Sequence, residues 1–277
     1  MTTQLTVTGS ELLTPSLRRV WFSSADLSAF EGSDWTDRYV KLIFPKAGVV
    51  YPEPLDPRAL RGLMPPEDMP EVRTYTALFP DVAAGTVAID FVIHGDEGVA
   101  GPWASRAKPG DTLLVNGPGG GYRPDPAADW HLLAGDESAV PAIGAALEAL
   151  PDGATAQIVV LVDSIDHQPD LRLPENATLV FVHRDAGGDA TSQLELAVRG
   201  LEWLPGRVQS FVHGEAQEVM LGIRPYLLKE RGLARDQVSI SGYWRRGRTE
   251  EGFREWKREL ADREGEGRPA RGGRGRR

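Results

Sequence analysis

Arg73-Thr74-Tyr75-Thr76 puts a guanidinium, a phenol ring and two hydroxyls into four consecutive residues. The stretch follows a turn-rich region and opens a β-branched run, so it reads as a strand. Side chains alternate faces along a strand, which puts Arg73 and Tyr75 on one side and Thr74 and Thr76 on the other. A cation suits a phosphate, a flat ring suits another ring, and a hydroxyl donates to a ring nitrogen. Together these are the contacts a flavin nucleotide requires. The same four residues also make an ordinary amphipathic strand, and alone they do not separate the two readings.

Downstream lie further chemistry-bearing segments. Asp90-Phe91-Val92-Ile93-His94-Gly95 is followed by Gly98-Val99-Ala100-Gly101-Pro102-Trp103-Ala104, a small-residue loop expected to open a helix that includes Ala104 to Ala107. Backbone N–H groups at such an opening bind a pyrophosphate, and Gly98, Ala100 and Gly101 let the chain come close. A plain strand-to-helix turn is the alternative. His94 stands at the strand end as either a contact or a structural histidine. Gly117-Pro118-Gly119-Gly120-Gly121-Tyr122 allows close approach of a cofactor or forms a hinge.

Gly135-Asp136-Glu137 ends an apolar strand, but two acids there would repel a pyrophosphate, so this is not the phosphate-clamping G-x-G-x-x-G turn. Asp163, ending the next apolar run, suits a ribose 2′-hydroxyl and points to NADH; Arg184 after the third run points to NADPH. Lys41, Arg245 and Arg246 are candidate contacts for an anionic substrate. Trp244 either covers a flavin or packs under the last helix. The five histidines show no paired metal-ligand spacing. No G-x-S-x-G elbow is present, and no side chain is assigned as catalytic acid, base or nucleophile.

The supporting elements fall into two sets. Up to about residue 126 the chain is rich in short strands: 5–8, 17–22, 39–44, 73–79, 86–93 and 112–115. Six short strands with Gly/Pro turns suggest a closed antiparallel barrel. Between Lys46 and Pro70 lies a loop with five prolines, read as a mobile lid or excursion. From residue 127 to 262, apolar strands at 131–134, 157–162, 178–182, 208–212 and 238–241 alternate with helices, which implies a parallel sheet covered on both faces. The helices are expected at 139–150, with Ser138 as N-cap, at 217–231, and at 249–261 with Phe253, Trp256 and Leu260 on one side. Residues 263–277 read as a disordered Gly/Arg tail, either solvated or RNA-binding.

The chain has 277 residues, no cysteine and a net charge of −9. Absence of cysteine excludes disulfides, thiolate catalysis and a cysteine-held iron–sulfur cluster. Six arginines against three acids in residues 261–277 leave the preceding body at −12, a poor general binder of nucleic acid. No apolar run reaches membrane-spanning length and no secretory signal is visible, so no membrane insertion and a cytoplasmic location are expected.

In order and spacing, these segments, ending with Ser241-Gly242-Tyr243-Trp244-Arg245-Arg246-Gly247, resemble the siderophore-interacting proteins, a branch of the ferredoxin-reductase-like flavoproteins. The resemblance runs from about Leu5 to Leu260. It implies a FAD-binding barrel followed by a nicotinamide-binding α/β domain, with NADH or NADPH as donor, a ferric siderophore as substrate and a basic pocket by the flavin. It leaves a ferredoxin donor open. It also implies cofactor contacts at Arg73, Thr74, Tyr75, Thr76, Asp90, Val92, His94, Gly98, Ala100, Gly101, Gly119, Tyr122, Gly135, Asp136, Glu137 and Trp244. One departure is visible: the family has a Gly-x-Ala-Ser-like pattern where this chain reads Gly98-Val99-Ala100-Gly101, with Pro102 next. A side-chain contact at that position is therefore lost while the backbone contacts remain. Alternatives of the same architecture are a flavin or electron-carrier reductase, or a siderophore-binding flavoprotein that turns over slowly.

Overall fold

The computed structural model describes residues 2–96, 98–187, 192–248 and 250–266. Of the Gly/Arg tail, residues 263–266 continue the last helix and residues 267–277 lie outside the described residues.

Six strands close a barrel: β1 (Thr2–Thr14), β2 (Leu17–Ser23), β3 (Tyr39–Phe44), β4 (Glu71–Asp81), β5 (Thr86–Val92) and β6 (Thr112–Gly119), in the order β1-β2-β5-β4-β3-β6. Their pairings are antiparallel throughout. Period-two alternation sets the two faces. On β2, Val20 and Phe22 point into the barrel core while Arg19 and Trp21 stand outside. β1 has register shifts after Val7 and Leu12, and such bulges bend a strand. Thr2–Thr6 pairs with β6, and the strand from Thr6 onward pairs with β2. The core joins Phe22, Phe44 and Phe91 to aliphatic residues from all the strands, and each buried side chain of this size contributes about 1.5–3 kcal/mol. Helix α1 (Ala100–Arg106) packs onto β5 and includes residues 104–106 as expected, with Ala107 as its C-cap.

The proline-rich loop is not a free excursion. Leu55 and Leu60 bury against Ile43 on the outer barrel wall, the Tyr51 hydroxyl donates to the Asp68 carbonyl, and Lys46 Nζ donates to that of Glu67. A local apolar cluster fixes the segment.

The second set comprises β7 (Trp130–Asp136), β8 (Thr155–Val162), β9 (Asn176–His183), β10 (Val208–Glu215) and β11 (Val238–Trp244), ordered β11-β10-β7-β8-β9. The β10–β7, β7–β8 and β8–β9 pairs are parallel. Buried residues alternate between two cores. Leu133, Ile158 and Val160 face α2 (Val140–Ala149), whereas Leu132, Val159 and Leu161 face α3 (Gln193–Gly200) and α4 (216–230). Helix α4 contains two π-helical stretches, Glu218–Ile223 and Tyr226–Glu230. Barrel residues Leu17 and Tyr122 belong to the α2-side core, so barrel and sheet share packing. Residues 1–243 form one compact unit and residues 244–277 a second. The second contains α5 (Glu250–Glu266), which runs past the expected residue 261. In it the Phe253 and Trp256 rings stack at 6.1 Å.

Candidate functional site

β4 carries Arg73, Thr74, Tyr75 and Thr76. Its register pairs Leu42 with Arg73 and Val40 with Tyr75, so these two side chains lie on the face of the core-lining Val40 and Leu42. The Tyr75 ring sits 4.8 Å from Phe91, at the margin of the barrel core. Arg73 is 24% exposed; its Nη2 donates to Glu71 at 2.6 Å and its Nη1 to the Val72 carbonyl at 3.2 Å. One partly exposed carboxylate therefore holds a cation beside an aromatic ring, an arrangement an incoming phosphate can displace. Thr74 and Thr76 take the opposite face, Thr74 exposed and Thr76 buried. Lys41 is cross-strand from both Thr74 and Asn116, so it shares the threonines' side of the sheet rather than that of Arg73 and Tyr75. The Asn116 side-chain oxygen Oδ1 is buried with no partner among the described residues.

The loop after β5 holds His94 and Gly98, both exposed, with Gly98 at φ +76° where glycine is favoured. Ala100 is buried in the barrel core and Val92 packs toward the α2 side. Gly101 has a structural reason: a Cβ there would meet the Val92 carbonyl at 3.1 Å, so its lack of a side chain brings α1 onto β5.

Several expected cofactor contacts have other employment. Asp90 is 3% exposed and both its oxygens accept from Arg19, at 2.7 and 2.8 Å, on the outer barrel wall. Such a bidentate pair fixes both carboxylate oxygens. Tyr122 is 2% exposed with its ring 4.8 Å from Phe211, inside the core shared with the sheet. Burial pushes its phenol pKa up, and its hydroxyl has no partner among the described residues. The glycine run before it is pinned rather than a hinge. Asp37 accepts from the N–H groups of Gly121 and Tyr122 at 2.9 Å each, and a Cβ on Gly119 or Gly120 would strike the side chain of Tyr39 or Trp35 at 2.5 Å.

At the carboxyl end of the sheet the pattern repeats. A Cβ on Gly135 would run into the His213 carbonyl and the Ala139 methyl, so this glycine closes the packing of β7, β10 and α2. Asp136 accepts from the Ser138 N–H at 2.9 Å and hydroxyl at 2.5 Å, and from the Glu215 N–H at 2.9 Å. It thereby ties two strand ends together. Ser138 is not the N-cap of α2; Ala139 is. Glu137, 5% exposed, accepts from Arg184 at 2.6 and 2.7 Å, and the same Arg184 Nη1 donates to Asp163 at 2.7 Å. Burial raises the Glu137 carboxyl pKa while Arg184 works in the other direction. Burial likewise opposes the charge on Arg184, but its bonds to Glu137 and Asp163 outweigh this and push its pKa up.

In the second unit, the Arg245 guanidinium lies 5.9 Å from the Trp256 ring centroid, Arg246 is exposed and Trp244 is partly buried. Among the described residues no cluster could hold a metal ion. Sequence reasoning passed over Arg38. It directly precedes β3, its carbonyl accepts from the Ala77 N–H at 2.7 Å, and its Nε is buried with no partner among the described residues. Burial lowers its pKa. The signal was present in the run Asp37-Arg38-Tyr39-Val40-Lys41, where an apolar strand begins between two cations.

Comparison with known proteins decides the family. Residues 6–122 match the model of the siderophore-interacting FAD-binding domain and residues 128–247 that of the siderophore-interacting protein. The chain belongs to the siderophore-interacting protein family. Within it, the chain is 47% identical to an uncharacterized protein of Mycobacterium tuberculosis, over 93% of this chain and 95% of that one. It is 35% identical to the ferric vibriobactin reductase ViuB of Vibrio cholerae, over 90% and 91%. The crystal structure of the siderophore-interacting protein SipS from Aeromonas hydrophila superposes with a TM-score of 0.77 at 28% identity, covering 94% of this chain and 98% of that one. The barrel of this family member is thus its FAD-binding domain. Its donor set fits that group: β4 offers a guanidinium with a displaceable carboxylate and, two residues on along the same face, an aromatic ring.

Proposed function

We propose that this protein reduces ferric siderophores, taking electrons from NADH or NADPH through FAD, in the cytoplasm. The observation that carries the reading is the Arg73/Tyr75 face of β4 in a chain whose residues 6–122 and 128–247 match the two siderophore-interacting models. Bound FAD would supply the conversion between a two-electron donor and a one-electron acceptor. Arg73 would bind its phosphate, exchanging Glu71 for it. Tyr75 would orient the ring system, and Thr74 and Thr76, whose side chains take the other face, would offer it only backbone groups. The loop bearing His94, Gly98 and Ala100 would add backbone donors. We assign residues 1–126 to this role and residues 127–262 to the nicotinamide donor. Lys41, Arg245 and Arg246 would draw an anionic chelate toward an otherwise acidic body.

Two Fe(III) centres accept one electron each for every nicotinamide oxidised, and Fe(II) leaves because hard oxygen ligands hold it weakly. The reductase named for vibriobactin supports this substrate class. The test is direct. Purified protein should hold FAD, and NADH or NADPH oxidation should accelerate when a ferric siderophore is added, with Fe(II) trapped by a chromogenic chelator. A colourless protein that takes up no FAD would sink the proposal. Equal rates with a flavin or a neutral electron carrier would replace it with a general reductase.

A further inference from the structure

The three ionic groups at the carboxyl end of the sheet speak to which nicotinamide is used. In the segments leaving β7, β8, β9 and β10 at that end (136–139, 163–168, 184–192 and 216–218), Arg184 is the one lysine or arginine in the sequence. The same segments carry Asp136, Glu137, Asp163, Asp166, Asp185, Asp189 and Glu218. A 2′-phosphate would need that cation, and Arg184 is engaged twice. Releasing it would strand Glu137, 5% exposed, as a buried carboxylate without its counter-charge, which is strongly unfavourable. Asp163 differs: its side chain is 48% exposed, and it ends the second strand of the parallel set, where an acid meets a ribose 2′-hydroxyl. The Asp185 N–H donates to the Asp163 carbonyl at 3.2 Å, which joins the two strand ends around this acid.

We infer that the Glu137–Arg184–Asp163 cluster selects an unphosphorylated nicotinamide dinucleotide, with Asp163 accepting from the adenosine 2′-hydroxyl and Arg184 acting as its positioning residue. The inference rests on the donor reading above and narrows it to NADH. The discrimination is electrostatic: Asp163 attracts a hydroxyl donor and repels a phosphate, while Arg184 is neutralised by its two carboxylates.

Equilibrium binding to the FAD-loaded full chain tests it with no turnover involved. The probes are AMP and adenosine 2′,5′-bisphosphate, followed by calorimetry at low salt. AMP should bind on the order of tenfold more tightly. Asp163→Asn should shrink that ratio mainly by improving bisphosphate binding, and because this carboxylate is half exposed the variant should fold. Tighter binding of the bisphosphate by the parent protein, or an unchanged ratio in Asp163→Asn, would overturn the inference and leave the reductase reading intact. Binding of neither probe would overturn it together with the nicotinamide donor itself.

Discussion

The barrel face at Arg73 and the carboxyl end of the sheet use the same residue types in opposite ways. On β4 one guanidinium meets one carboxylate, 42% exposed, next to an aromatic ring. At the sheet, Arg184 is shared by Glu137 and Asp163, and Asp136 accepts three hydrogen bonds. The first arrangement can exchange its partner for a ligand at little loss, because exposed ion pairs contribute 0–1 kcal/mol by the usual measure, roughly. The second cannot, because Glu137 and Asp136 are already out of water and only Asp163 stays half exposed. A charged residue at a ligand-binding position is therefore informative only with its partners known.

The largest effect should come from breaking the sheet cluster. Arg184→Ala leaves Glu137 buried and unpaired and should cost about 3–5 kcal/mol in urea unfolding. A double variant, Arg184→Met with Glu137→Leu, should recover most of it. A cost under about 1 kcal/mol for the single variant would mean that the cluster is as open as the barrel site. Next in size, Arg73→Ala should weaken FAD binding by about 1.5–3 kcal/mol, roughly ten- to a hundredfold, read from flavin fluorescence quenching. Its effect on unfolding of the flavin-free protein should stay within about 1 kcal/mol. The two variants thus separate stability from binding, and equal effects on both readouts in both would erase the distinction.

Much of the architecture was readable in the sequence because local composition carries it. Strands such as Leu17–Ser23 show in their β-branched and aromatic content, and 158–162 is apolar and buried on both faces, so barrel and parallel sheet followed. What residue type alone does not encode is occupancy. The resemblance implied cofactor contacts at Asp90, Tyr122 and Gly135, and the structure adds partners that their types do not announce: Arg19, Phe211 and the crowding of β7 against β10. These partners lie 71, 89 and 78 positions away in the chain, respectively, beyond any local pattern. Asp163 and Arg184 gave opposite hints about the donor for the same reason: they are two ends of one ion pair. Arg38 escaped because the strand reading began one residue after it.

Tyr122→Phe probes occupancy at the junction. Its hydroxyl is buried without a partner among the described residues, so removing it should leave stability unchanged or raise it by up to about 1–2 kcal/mol, with FAD affinity unaltered. Loss of FAD affinity would return this residue to the cofactor site and blur the contrast with Arg73.

The smallest effect concerns the other end of β7. His131 is 4% exposed, and burial lowers its pKa from 6.5 while Asp125 and a bond to Gln209 oppose the change. The folded protein therefore binds this proton less readily than the unfolded chain. The stability tied to neutral His131 is complete above the unfolded value of 6.5 and is lost as pH falls from there through the lower folded value. One proton limits the slope to about 1.4 kcal/mol per pH unit. His131→Gln should flatten the fall in urea midpoint over that window. If the variant keeps the parent's pH profile, burial does not set the titration of this sheet residue, and the case for a sealed sheet beside an open barrel face would lose its independent support.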